Sequence, residues 1–311
     1  MEPTPAPPGM GQMARCSAGT SLLARLGRDR WLRYWLLAPA VFLLVALTIY
    51  PYIYALRISF YAFRFGNPAG FIGLTNYQRM LADRAFWASL GRTVAFSIAV
   101  VLIELVIGFI IALLSMRISR LRGFIRTGLI VPMAIAPVVV AIIWRLIFNQ
   151  EFGILNYLLG SVLGLGRPNW LGQLAFPSIM IIDIWQWTPF MFLVLLAGLQ
   201  SIPIELYDAA YVDGASELQL LRFVTLPLLT PTVLVAVLVR TVDALRIFDQ
   251  VFLLTQGGPG TATEFVSLFI YKTTFKFSQV GYGSALLLVL FLVTIAMALA
   301  YTRLLREGAA T

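Results

Sequence analysis

The chain has no histidine, one cysteine and two lysines, and charged residues fill only 12% of its 311 positions. Without histidine there is no Ser-His-Asp triad, no imidazole acid-base relay and no His-ligated zinc. The lone Cys16 excludes a disulfide scaffold, and no apolar lipobox-like stretch precedes it, so lipidation is not expected. No Gly-x-x-x-x-Gly-Lys-Ser/Thr stretch occurs, so this chain has no phosphate-cradling loop for ATP. What is plentiful is apolar surface. At 60% hydrophobic residues and a mean hydropathy of +0.87, the chain carries more than a soluble core of this length can bury. Disorder and a globular cytosolic enzyme are both excluded. The net charge of +9 comes mostly from arginines flanking apolar runs, which points to a membrane and not to nucleic acid.

A helical span needs roughly 20 mostly apolar residues to cross a hydrocarbon layer about 30 Å thick. Six segments qualify: 35–56, 93–116, 127–148, 176–199, 226–254 and 282–302. Alternation of period two is absent, so the reading is an all-α membrane protein with six transmembrane helices. Arg25, Arg28, Arg30 and Arg33 precede the first span, and Arg117, Arg120, Arg122 and Arg126 crowd the link between the second and third. Basic residues favour the cytoplasmic side, which puts both termini there, with Arg303 and Arg306 at the carboxy end. Residues 1–30 read as a disordered cytoplasmic tail and 31–311 as the transmembrane domain. The first span is about twice as long as a signal-peptide core and reads as an uncleaved anchor.

The inward link at 203–227 breaks the charge rule. Glu205, Asp208, Asp213 and Glu217 stand against a single Arg222. Pro203 suits a helix start, early acidic residues complement the helix dipole, and Gly214 suits a stop before a second helix. Two short helices meeting at Gly214 are predicted, with Leu206, Ala209 and Ala210 forming a small-residue face that a partner's groove could approach. An amphipathic interfacial helix is the alternative.

The fifth span holds Arg240, Asp243, Arg246 and Asp249. Arg240 lies about 20 Å along the helix from Pro227, near the membrane midplane, and Arg240, Asp243, Ala244 and Ile247 share a face. One reading is an Arg240–Asp243 ion pair that merely permits insertion. The other is a polar cavity whose guanidinium and carboxylate groups offer directional hydrogen bonds to hydroxyl groups, with aromatic faces from Trp185-Gln186-Trp187-Thr188-Pro189-Phe190 of the fourth span. Glu104 and Asp183, single carboxylates in their spans, are read as inter-helix hydrogen-bond partners or neutral groups.

Asp208-Ala209-Ala210, then Gly214, then Val224-Thr225-Leu226-Pro227 resembles the EAA signature of ABC-importer permeases, with Asp208 in place of Glu and Val224 in place of Ile. Ile72-Gly73-Leu74-Thr75-Asn76-Tyr77, Phe86-Trp87, Trp185 to Tyr207, and Phe248-Asp249-Gln250-Val251 through Gln256-Gly257-Gly258-Pro259-Gly260 extend the likeness over nearly all of the chain after residue 30. Together they resemble carbohydrate-uptake permeases of the maltose and glycerol-phosphate type. That resemblance implies a type I ABC-importer permease fold in a bacterial inner membrane, as one half of a heterodimeric permease pair. It also implies two ATP-binding cassette subunits that hold ATP and Mg, an extracytoplasmic sugar-binding protein, and no cofactor or metal in this chain. Glu205, Asp208, Ala209, Ala210, Asp213, Gly214 and Pro227 become the coupling residues. Gln186, Trp187, Phe190, Arg240, Ala244 and Ile247 match the family's sugar contacts, and Asp243 joins them by its face. The sugar stays open among trehalose, another disaccharide and a phosphorylated glycerol derivative. An ion- or proton-coupled carrier and a non-transporting membrane scaffold are the competing classes.

Overall fold

A computed structural model describes residues 30–64, 67–117 and 122–308. The expected tail over 1–30 lies outside these residues, apart from Arg30 at the first helix start, and so does Arg120. The chain divides into two units, residues 1–57 and 58–311. The first is described by helix α1 (Arg30–Ser59), which includes Pro39 and Pro51 and whose stretch from Trp35 to Leu56 carries no charge on any face, the pattern of a lipid-embedded segment.

The second unit opens with an antiparallel hairpin of β1 (Tyr61–Arg64) and β2 (Asn67–Phe71), paired Tyr61 to Phe71. This two-stranded ribbon stands where no strand was predicted. Helices α2 (Thr75–Ala82) and α3 (Arg84–Arg117) follow. The α3 helix starts earlier than the apolar run because Asp83 caps it, its carboxylate accepting from the N–H groups of Ala85 and Phe86 at 3.0 and 3.3 Å. Its 34 residues span about 51 Å, well beyond the hydrocarbon layer.

The third predicted span is broken. Helices α4 (Arg122–Ala134) and α5 (Pro137–Ile147) meet at a bend of 100°. Pro137 holds Ala136 extended and has no N–H to continue the ladder. Then come α6 (Ala175–Ser201), α7 (Ile204–Val212), α8 (Glu217–Leu220), α9 (Leu226–Ala244), α10 (Asp249–Leu254), α11 (Val266–Tyr271) and α12 (Val280–Gly308). Among the described residues five helical segments are long and apolar enough to cross a membrane, or six if α4 and α5 count as one bent span. The fifth predicted span is also interrupted: α9 ends at Ala244 and the backbone turns before α10. The continuous face drawn from Arg240 to Ile247 therefore stops being helical after Ala244.

Helices α3 and α6 form the centre of this unit. They meet so closely at Gly108 that a Cβ there would lie 2.8 Å from the Met191 Cβ and 2.9 Å from the Phe192 nitrogen. Small residues allow such approach between membrane helices. Around the contact, buried Phe96 and Val100 from α3 join Ile179 and Met191 from α6 and Ala236 from α9 in one apolar cluster. This packing fixes the three helices that carry the intramembrane charges.

Candidate functional site

Glu104 lies on α3, Asp183 on α6, and Arg240 with Asp243 on α9; the structure brings all four together. Among the described residues Arg240 is the largest fully buried side chain, at 1% exposure. Its Nε donates to Glu104 Oε2 at 2.7 Å and its Nη2 to Glu104 Oε1 at 3.0 Å, a two-point grip. Nη2 also donates to Asp183, and Nη1 to Asp243 at 3.1 Å. The expected Arg240–Asp243 ion pair is present, as one arm of a network that clamps three helices. Glu104 and Asp183 make the inter-helix bonds expected of them. In a low-dielectric interior such charges persist only when paired and hydrogen-bonded.

On α6, Asp183, Gln186, Trp187 and Phe190 fall at i, i+3, i+4 and i+7, one stripe of the helix. Their fates differ. Trp187 is half-buried, and its ring lies 5.2 Å from the Arg240 Cζ, within cation-π range. Together with Asp183, Arg240, Asp243, Ala244 and Ile247 it lines a cleft of about 90 Å³. Pro137, Arg246, Phe248, Asp249 and Gln250 complete the wall. The break after Ala244 puts Arg246 and Asp249 there, although a continuous helix would have rotated them away.

Gln186 and Phe190 do not line this cleft. Gln186 is fully buried; its Nε2 donates to the Ile135 carbonyl at 3.1 Å, and its Oε1 accepts from Gln250 Nε2 at 2.8 Å. The carbonyl it serves is the one freed by the bend between α4 and α5, so Gln186 satisfies a backbone group that lipid could not. Phe190 packs on the apolar cluster of α3, α6 and α9. Sequence reasoning missed Gln250, Arg246 and Asp249 as wall residues and Glu104 as an Arg240 partner. Three helices each holding buried charge, two of them with a single carboxylate, was the available signal for the last.

The acidic link forms the predicted pair of helices. Pro203 precedes α7, Glu205 sits in its first turn, and Gly214 adopts φ +77°, a left-handed conformation that favours glycine. Ser216 then starts α8 with a capping box, its backbone N–H donating to Gln219 Oε1 at 2.8 Å. Tyr211 Oη donates to Glu217 Oε1 at 2.9 Å across the elbow, and Tyr207 bonds Thr225 Oγ1 at 3.2 Å. These bonds hold the elbow while its outer surface stays open: Glu205, Asp208, Ala209, Asp213 and Gly214 are exposed, Ala210 is half-buried, and Val212 is 88% exposed. Pro227 is exposed in the first turn of α9.

Comparison with known proteins agrees in fold and family. The family described as binding-protein-dependent transport system inner membrane component matches residues 104–307. The chain is 38% identical to the trehalose/maltose transport system permease protein MalF of Thermococcus litoralis, over 89% of this chain and 94% of that one. It is 37% identical to the trehalose transport system permease protein SugA of Mycobacterium tuberculosis, covering 93% and 94% of the two chains. It is also 37% identical to the sulfoquinovosyl glycerol transport system permease protein SmoG of Agrobacterium fabrum, covering 89% and 91%. A bacterial ABC transporter involved in import of the acidic polysaccharide alginate has the same fold, with a TM-score of 0.79 at 24% identity over 92% of this chain and 99% of that one.

Proposed function

The chain belongs to the binding-protein-dependent transport system inner membrane component family, and we propose from that premise that it forms half of the translocation path of an ATP-driven sugar importer. It is a multi-pass membrane permease subunit of a sugar ABC transporter. In this proposal it sits in the bacterial inner membrane with both termini inside, as the flanking arginines favour. A second permease completes the path, and two ATP-binding cassette subunits beneath it hold ATP and Mg and perform the hydrolysis for which this chain has no phosphate loop. An external binding protein delivers the sugar. Trehalose or a related disaccharide is the proposed cargo, supported by the relatives named for trehalose transport.

The single observation that carries the coupling role is the elbow: an acidic, exposed helix pair pinned at Gly214 and continuous through residues 221–225 with the α9 helix bearing Arg240. A load applied there reaches the charge clamp through one chain segment. ATP-driven closure of the cassettes would move the elbow and rock α9 against α3 and α6, opening the Trp187 cleft to alternate sides. At about 90 Å³ the cleft is well below the roughly 300–1,000 Å³ of ordinary ligand pockets, so the second permease must supply the rest of the sugar site. Aromatic Trp187 and the carboxylate of Asp243 are the proposed contacts, with Arg240 holding Asp243 in place and Ala244 and Ile247 shaping the wall; Gln186 and Phe190 support it from behind.

The test is uptake of labelled trehalose by proteoliposomes holding the complete complex. ATP-dependent accumulation lost in Gly214→Asp, with the complex still assembled, is expected. Accumulation driven by a pH gradient without ATP would instead support the ion-coupled carrier.

A further inference from the structure

The cleft wall carries an unusual charge balance. Asp243 and Asp249 face it, Asp183 lines it from α6, and Glu104 lies behind on the same guanidinium. Against these four carboxylates stand two cations, Arg240 and Arg246. The sum is two negative charges, and a proton shared between Glu104 and Asp183 would still leave one. Arg240 is also spent: its Nε, Nη1 and Nη2 donate to Glu104, Asp243 and Asp183. Among the described residues, Arg246 and Asp249 form no ion pair, and both are exposed and line the cleft.

From this balance we propose that the cleft admits neutral sugars and rejects anionic ones, with Asp243 and Asp249 as the specificity-determining residues. The inference rests on the cleft being part of the sugar path. Carboxylate oxygens accept hydrogen bonds from hydroxyl groups, and Arg246 donates to sugar oxygens, so a neutral polyol satisfies the wall without adding charge. A sulfonate, phosphate or uronate would meet one uncommitted guanidinium against a negative wall, in a cleft whose low-dielectric surroundings strengthen repulsion. Like charges brought together in this way penalise the wrong partner. The proposal separates this chain from carriers of acidic cargo, such as the alginate importer that shares its fold.

The test uses the purified complex of both permeases and the ATPases, without the binding protein, so that the permease alone selects. Equilibrium dialysis with labelled trehalose, sulfoquinovosyl glycerol and glycerol 3-phosphate is expected to show trehalose bound on the order of tenfold more tightly than either anion, with the gap shrinking as salt rises. Asp249→Lys should close the gap by a similar factor, and Asp249→Asn by less. Wild type binding an anion as tightly as trehalose, or both variants leaving the ratio unchanged, would overturn the charge selection. If that happens while ATP-driven trehalose uptake proceeds, only this inference fails. If none of the probes binds, the cleft is not a sugar site and the inference falls together with the path on which it rests.

Discussion

Removing the positive centre of the clamp while keeping its bulk is the most informative perturbation. Arg240→Met retains an apolar stem of similar reach but deletes the two donors to Glu104, the donor to Asp183 and the donor to Asp243. Glu104 and Asp183 are 0% and 3% exposed, so neither can recover its solvation. Breaking a buried ion pair from one side costs about 3–5 kcal/mol. At about 2–4 °C per kcal/mol, that predicts a fall of at least about 6 °C in the apparent melting temperature in detergent. Replacing a whole buried network by well-packed hydrophobic residues of similar volume is often neutral or stabilising. The triple variant Arg240→Met, Glu104→Met, Asp183→Leu should therefore recover most of the loss. Thermal unfolding of the solubilised complex, followed by loss of monodisperse protein, measures both. A single variant as stable as wild type, or a triple variant no better than the single, would refute the idea that Arg240 holds these helices by compensating buried charge. Arg240→Lys should also destabilise, because an ammonium cannot reproduce the two-point grip on Glu104.

Gln186→Leu should cost about 1–3 kcal/mol by orphaning the Ile135 carbonyl and the Gln250 amide, and the same melting assay reads it. Gly108→Leu would force a side chain into the α3–α6 contact, where a Cβ already falls 2.8 Å from Met191; a loss of about 1–3 kcal/mol is expected, accompanied by reduced yield of folded complex. Trp187→Ala removes the half-buried ring beside Arg240 and should raise the KM for uptake about tenfold without lowering the melting temperature by more than a few degrees. An unchanged KM would take Trp187 out of the path.

The parts legible in the sequence were those set by neighbouring residues. Pro203, the early acids and Gly214 are local signals, and the elbow formed as they dictate. Span positions also follow from local composition. The bend at Ile135 and Ala136 does not, because prolines are tolerated in membrane helices and whether one breaks the helix depends on what satisfies the freed carbonyl. Here that group is Gln186, 51 residues away. Arg240's partners Glu104 and Asp183 lie 136 and 57 residues away, so the sequence exposed the charges but not their convergence. The hairpin from Tyr61 to Phe71 was missed because its strands are too short to display alternation. Arg246 and Asp249 reached the cleft only through the break after Ala244, a tertiary feature invisible to a count of 100° per residue.

The central claim is that the acidic elbow is the surface gripped by the ATPase. Its most direct test is site-specific cross-linking from Val212, 88% exposed at the end of α7. Cys16 is the chain's one cysteine, so Cys16→Ser with Val212→Cys gives a single reactive position. With a heterobifunctional reagent, thiol-reactive at one end and photoreactive at the other, and the ATPase subunits present in the native membrane, a cross-linked permease–ATPase species should form on illumination and ATP-driven uptake should stop in proportion to its yield. A Val212→Cys thiol that stays free or cross-links only to lipid-soluble reagents, while the transporter accumulates sugar at the normal rate, would contradict the account.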